Sequence, residues 1–232
     1  ACSILMPGQD LAGIRMIVTA GPTRESIDPV RYISNHSSGK MGYAVAQAAR
    51  ERGADVLLIS GPVGIECPEG VKLVSTATAE EMCKAVLDNF GNCDVVVMAA
   101  AVADYRPAEV SETKIKKNDD EMVLRLVRTP DILKKLGTIK GNRILVGFSA
   151  ETDHLTDNAM KKLESKNLDM IVANDVTMEG AGFGTDTNII KIIKRDGTVI
   201  DLPLMSKLEA AHRILDEVRG LAAGREHGRG GA

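Results

Sequence analysis

Three stretches carry residue types whose spacing suits chemistry on a phosphorylated ligand. The first is AGPTRESIDPVRYISNHSSGKMG, residues 20–42. Ser37, Ser38 and Gly39 stand just ahead of an apolar-periodic run that opens at Met41. Small residues at a helix start leave main-chain N–H groups open to an anion, and the helix dipole favours negative charge there. The same residues serve equally well as an ordinary cap. Arg31 can fork onto a carboxylate or phosphate, and Asn35 offers a donor and an acceptor, enough to grip an acyl carbonyl. The plain alternatives are a solvated charge and a turn residue. The second stretch is ADYRP, residues 103–107. Asp104 there can hold ribose hydroxyls or a phosphate-borne metal, or simply stabilise a turn. The third is a set of lysines. Lys114 and Lys116 share a face if KIKK is a strand, giving a basic flap or a protected edge. Lys162 and Lys166, four apart, share a helix face and can meet one polyphosphate, or form an ordinary charged surface. Phe148 can pack on a nucleobase or fill the core.

Other chemistries find less support. The first stretch is not a Walker loop: Ser34 stands at the first glycine position and Met41 replaces the Ser/Thr. No G-x-G-x-x-G occurs, and the second strand ends Ser60-Gly61-Pro62 without an acidic residue for a ribose. An NAD(P)-dependent reductase on the same kind of sheet is the alternative reading, and these absences weigh against it. His36, His154, His212 and His227 show no metal spacing, and no Ser follows the G-x-S-x-G pattern.

The elements that must position these residues alternate. Strands are expected at 14–19, 55–60, 71–75, 94–101, 143–148 and 168–173, with helices at 41–52, 79–90, 153–166 and 207–222. Alternation of this kind implies a doubly wound, mostly parallel, Rossmann-like α/β sheet. Two segments break the pattern. Residues 109–127 are expected to form a projecting β-hairpin flap, with its turn at 118–120, and 188–200 a second hairpin turning at Asp196-Gly197. Residues 1–10 are expected to be an extension, 11–222 a single domain and 223–232 a disordered tail.

Composition narrows the class. The 232 residues are 44% hydrophobic and 26% charged, normal for a globular chain. A net charge of −3 argues against non-specific nucleic-acid binding. Aromatics at 3% leave no base-stacking platform. No apolar run is long enough to span a membrane. Cys2, Cys67, Cys83 and Cys93 form no C-x-x-C pair and are expected to be free thiols of a cytoplasmic protein. The first nine residues lack the features of a signal peptide.

Several segments in order, the long first stretch, AAAVADYRP, KIKK, TPDIL and GFSAET, resemble the phosphopantothenate–cysteine ligase (phosphopantothenoylcysteine synthetase) family of coenzyme A biosynthesis, in its bacterial type. The resemblance runs from about Leu11 to about Val218. It implies that CTP, with Mg²⁺, activates 4′-phosphopantothenate as an acyl-cytidylate, and that L-cysteine then displaces CMP. By motif matching it implies a nucleotide site of Met98, Ala99, Ala100, Asp104, Lys114, Pro130, Asp131, Ile132, Leu133, Phe148, Lys162 and Lys166. Ser37, Ser38 and Gly39 would face phosphates. Asn35 falls at the position that engages the acyl intermediate, and Lys114 at that of the flap lysine; these two are the candidate catalytic residues. Arg31 and Asn35 are the candidate substrate-binding residues, and no residue is assigned as a metal ligand. The resemblance also implies a homodimer with its site near the subunit interface. Bacterial relatives often carry an N-terminal flavin-dependent decarboxylase domain, so the chain is expected to be a stand-alone enzyme or an excised part.

Overall fold

The computed structural model describes residues 8–117, 121–151, 155–175, 182 and 184–227. The expected extension up to residue 7, the turn at 118–120 and the tail beyond 227 lie outside them. The chain opens with β1 (Arg15–Ala20), whose residues 16–20 are all buried. The polar connection that follows holds a small antiparallel pair, β2 (Arg24–Ser26) and β3 (Tyr32–Ser34). Then come α1 (Lys40–Glu51), β4 (Asp55–Ser60), β5 (Lys72–Ser75), α2 (Ala79–Phe90) and β6 (Val95–Met98). A second antiparallel pair, β7 (Tyr105–Pro107) and β8 (Leu126–Arg128), precedes α3 (Ile132–Thr138). The chain continues through β9 (Ile144–Glu151), α4 (Leu155–Ser165), β10 (Met170–Asp175), β11 (Thr187–Lys194), β12 (Val199–Ser206) and α5 (Lys207–His227).

Eight strands make the main sheet, in the order β12-β11-β10-β9-β6-β1-β4-β5. The six from β10 to β5 are parallel, and β11 and β12 add an antiparallel edge. The chain leaves β1 through β4 to β5, then returns to β1's other side for β6. That reversal is the switch point of a doubly wound sheet, where ligands sit beyond the strands' carboxyl ends. Alternate strand residues supply two cores. Met16, Val18, Val95 and Val97 face α1 and α5, while Ile17, Val96 and Met98 face α2, α3 and α4.

The structure departs from the sequence expectations in several places. The expected flap at 109–127 is not a hairpin over that range: the paired strands are β7 and β8, and residues 108–117 have no strand structure. KIKK therefore has no strand alternation to align Lys114 with Lys116. The tail expected from 223 is helical as far as His227, because α5 runs on past Val218. The strand expected at 94–101 stops at Met98. Beyond it Ala101 leaves the main ladder to bridge Pro22. α3, inside TPDIL and its sequel, had no expectation attached; it is only two turns long and is capped by Asp131, which accepts from the Lys134 N–H at 3.0 Å.

Two features seat the helices that matter below. α1 lies tight on β1 because Gly42 faces the strand: a Cβ there would come within 2.6 Å of the Ala20 Cβ and 2.7 Å of the Thr19 carbonyl oxygen. At the other pole, the nearly buried Arg52 grips Asp10 at 2.6 Å and Asp216 at 2.9 Å, and Arg219 joins Asp10 at 3.0 Å. The hydrogen bond from Arg52, aided by Arg219, holds the Asp10 carboxyl down at about 2.

Two outcomes are expected. Gly42→Ala forces α1 away from β1, so it should cost about 1–3 kcal/mol, the range for an added core methyl; thermal unfolding at an unchanged Tm would contradict the contact. Asp10, with its folded pKa depressed, contributes stability that is full above roughly pH 4 and lost as the pH falls toward 2. Asp10→Asn should therefore flatten the acid limb of Tm against pH, and an unaltered limb would refute this linkage.

Candidate functional site

A cleft of about 740 Å³ opens at the switch point, within the size range of small-molecule sites. One wall is residues 35–42, ahead of and into α1. The floor is residues 98–105, after β6. The far wall is 128–133, Phe148, Ser149, Lys162 and Lys166, and Gly184, Asn188 and Lys207 close one end.

The floor is main chain fixed by hydroxyls. The Thr19 hydroxyl accepts from the Ala100 N–H at 3.2 Å, and that of Thr23 from the Ala103 N–H at 3.0 Å. The Thr129 hydroxyl donates to the Ala103 carbonyl at 2.5 Å. Ala101 pairs with the loop after β1: its N–H donates to the Gly21 carbonyl at 2.9 Å, and its carbonyl accepts from the Thr23 N–H at 3.4 Å. The Asn35 amide also donates to that carbonyl, at 3.0 Å. Asn35 is thus an exposed side chain at the cleft, held through its amide nitrogen.

The α1 start suits an anion. Its cap is Gly39, at φ 82°, a left-handed conformation that glycine adopts freely. No side chain caps it and its first turn holds no acidic residue. α2, by contrast, has Thr78 as cap and Glu80 and Glu81 in its first turn. The Ser37 hydroxyl accepts from the Gly39 N–H at 3.3 Å. Lysines surround this start. Lys40 donates to the Gly184 carbonyl and to Asp186, both at 2.7 Å. Lys207, buried at the first residue of α5, donates to the Thr185 carbonyl, and its burial pushes the ammonium below the ordinary lysine value. Two cations beside positive helix ends raise the local potential, which an anionic ligand relieves. Across the cleft, Lys162 donates to the Ser149 hydroxyl at 3.0 Å, and Lys166 pairs with Asp131 at 3.1 Å.

Most of the sequence candidates converge. Asn35, Ser37, Ser38, Gly39, Met98, Ala99, Ala100, Asp104, Pro130, Asp131, Ile132, Leu133, Phe148, Lys162 and Lys166 all line the cleft. Two do not. Arg31 turns back onto Asp28 at 2.5 Å. Lys114 is exposed on the irregular segment 111–117 and lies outside the cleft wall. Sequence reasoning missed Lys40, Arg128, Lys207 and the three threonine hydroxyls. Lys40 stood inside the first stretch and Arg128 one residue before TPDIL. Lys207 gave no signal, since its place depends on α5 returning across the sheet.

The strand order and switch-point cleft define a doubly wound α/β protein of Rossmann-like type. A family model described as the DNA/pantothenate metabolism flavoprotein C-terminal domain matches residues 11–221, and the chain belongs to that family. It is 52% identical over 213 residues to the coenzyme A biosynthesis bifunctional protein CoaBC of Bacillus subtilis, covering 91% of this chain and 52% of that one. To the CoaBC of Escherichia coli K12 it is 46% identical over 216 residues, covering 91% and 53%. The chain thus spans about half the length of these curated relatives. The crystal structure of the C-terminal domain of CoaBC superposes with a TM-score of 0.81 at 44% identity, covering 94% of this chain and all of that one. A structure of a Cab2 mutant in complex with phosphopantothenate-cysteine shares the fold, with a TM-score of 0.75 at 15% identity.

The lysine pair makes a direct test available. Lys162→Ala and Lys166→Ala should each weaken inorganic triphosphate about tenfold by calorimetry, the loss of one charge-assisted bond. Their Tm values should barely move, since partly exposed ion pairs add little. Unchanged affinity in both variants would remove polyphosphate from this wall.

Proposed function

We propose that this chain joins 4′-phosphopantothenate to L-cysteine at the expense of CTP. A carboxylate oxygen of the substrate attacks the α-phosphorus of CTP, and pyrophosphate leaves. The cysteine amine then attacks the acyl carbonyl of the cytidylate, forming the C–N bond as CMP departs and the amine loses a proton. The observation that carries this reading is a convergence in one cleft. Asn35 and the uncapped α1 start lie on one side, Lys162 and Lys166 on the other. Two anionic reactants can therefore be held together without mutual repulsion. Family membership and the relatives' place in coenzyme A biosynthesis support the same reading.

Each residue then has a part. Ser37, Ser38, Gly39, Lys40 and Lys207 hold a phosphate at the α1 start. The main-chain edges of 98–101 and the side of Phe148 take the base, and the preference for CTP follows from the family. Asp104 meets ribose. Asn35 directs the acyl group. Lys162 and Lys166 neutralise the leaving pyrophosphate. A Mg²⁺ carried by the nucleotide supplies further charge neutralisation at the phosphates. Among the described residues no cluster of three His, Cys, Asp or Glu is placed to hold an ion. Asp104 lines the cleft and can hold either ribose hydroxyls or a phosphate-borne cation, whereas Asp131 is taken up by Lys166 and the α3 cap.

The protein works as a homodimer in the cytoplasm. Exposed Val30, Tyr32, Tyr105, Val110 and Leu126 lie on or beside the β2–β3 and β7–β8 pairs, and this apolar surface, which a second copy would cover, supports the dimer reading. No helix among the described residues is long and apolar enough to cross a membrane.

Pyrophosphate release should require phosphopantothenate together with CTP, exceed that with ATP, and occur without cysteine, whereas amide should form only with cysteine. No release under these conditions would overturn the ligase reading. Asn35→Asp replaces the donor to the Ala101 carbonyl with a negative charge, so it should slow amide formation more than activation and let acyl-cytidylate accumulate. Equal effects on the two half-reactions would remove Asn35 from the second.

A further inference from the structure

Arg31 and Lys114 were the two candidates left outside the cleft, and one side chain ties Arg31 to the segment that carries Lys114. Asp28 lies in the turn between β2 and β3, with its carboxylate fully shielded from solvent. It accepts five N–H bonds. Oδ1 takes the main-chain N–H groups of Val30 and Arg31, each at 2.8 Å. Oδ2 takes Nε of Arg31 at 3.0 Å, Nη2 of Arg31 at 2.5 Å, and the main-chain N–H of Ile115 at 3.2 Å. Arg31 Nη2 also donates to the Ile115 carbonyl at 3.0 Å. Both polar groups of the Ile115 main chain are thus spent on the Asp28–Arg31 pair.

A second tie lies four residues earlier, where the Ser111 N–H donates to the Ile27 carbonyl at 3.0 Å. Between the two ties the Ser111 hydroxyl donates to the Thr113 carbonyl at 2.6 Å. Residues 111–117 have no helix or strand of their own, and Glu112, Thr113, Lys114, Lys116 and Lys117 are exposed. An irregular, solvated segment of this kind has no internal reason to hold one conformation. Its conformation comes from the β2–β3 turn. The Arg31 guanidinium holds the Asp28 carboxyl well below the usual carboxylate range, so the anchor keeps its charge across the physiological range.

We propose that Asp28 and Arg31 are positioning residues that act through Lys114. They fasten the main chain of Ile115 and thereby fix where the neighbouring lysine is presented. This rests on the ligase reading and on Lys114 as the flap lysine that the family resemblance implies. Arg31 then has a role without touching the ligand held by its own subunit's cleft. The segment that carries Lys114 is held by a tether whose chemistry is a buried carboxylate and a guanidinium.

The test uses the full chain with Asp28→Asn, Lys114→Ala, and the two together. Asparagine keeps the shape but offers the five donors only a neutral, single acceptor oxygen. The first readout needs no activity: trypsin cleavage after Lys114, Lys116 and Lys117, followed by mass spectrometry. Cleavage there should accelerate at least about tenfold in Asp28→Asn, the order expected when one charged hydrogen-bonded anchor is lost, and faster than cleavage elsewhere in the chain. The second readout is CTP-dependent pyrophosphate release. Asp28→Asn should lower kcat by about tenfold with a smaller change in KM for CTP, the split expected when a transition-state contact is displaced. In the Lys114→Ala background the same substitution should cost less than about twofold, because the group it positions is already gone. Unchanged cleavage in Asp28→Asn, or fully multiplicative losses in the double variant, would overturn the proposal. If Asp28→Asn does not fold, Arg31→Met, which cuts the bond to the Ile115 carbonyl and leaves the main-chain donors to Asp28 in place, is read by the same two criteria. Absence of turnover in the parent protein would overturn the ligase reading, while the cleavage comparison still decides the tether.

Discussion

The pairing of Ala101 with the main chain of Gly21 and Thr23 is the contact on which the site depends. β1 and β6 are neighbours in the sheet, but their ladder ends at Thr19 and Met98. Without further bonds the two loops beyond would splay, since main-chain groups at the mouth of a sheet can satisfy themselves with water instead. The Pro22–Ala101 bridge carries the pairing a few residues further and turns two loose ends into one shelf. Asn35 and the threonine hydroxyls are built onto that shelf. The cleft is thus an extension of the sheet, and its precision comes from strands, the more rigid part of the scaffold.

Charge is arranged around the shelf in an asymmetric way. The α1 end is positive through backbone dipoles and two lysines, one of them buried. The α4 end is positive through two lysines, one of which is already answered by Asp131. Carboxylates hold several of these cations in place: Asp186 holds Lys40 and Asp131 holds Lys166, while Asp28 does the same for Arg31 outside the cleft. A cation fixed before the ligand arrives loses little freedom on binding, so more of its attraction is realised.

Legibility in the sequence followed burial. The strands at 55–60 and the helix at 79–90 were readable to the residue, because apolar runs bounded by Gly or by a Thr cap leave few alternatives. The start of α1 was readable to within a residue from small residues ahead of an apolar period. The cleft residues given by the family resemblance converge well, since most sit on strand ends and helix starts, whose positions the fold dictates. What failed was the solvated chain. KIKK had the alternation of a strand, but among the described residues no partner strand pairs with it, and its main chain is held by a carboxylate more than eighty positions earlier, at Asp28. Lys207 was missed for a related reason: nothing local ties the start of the last helix to the start of the first.

That last helix has a consequence for how the molecule is made. α5 covers the face of the sheet that α1 also covers, and Ala210, Ala211, Ile214 and Leu215 share one core with Val45, Ala46, Ala48 and Ala49. Arg52 reaches Asp216, and Arg219 reaches Asp10, so the first and last parts of the chain close on each other. A nascent polypeptide leaving the ribosome can complete the α2–α3–α4 side while synthesis continues, but the α1 side stays uncovered until α5 has been made. Until then an apolar sheet face is open to other chains, the interval in which long-range topologies are most prone to aggregate. Removing α5 would therefore uncover the sheet face it shares with α1 and loosen the seat of α1 beside the cleft.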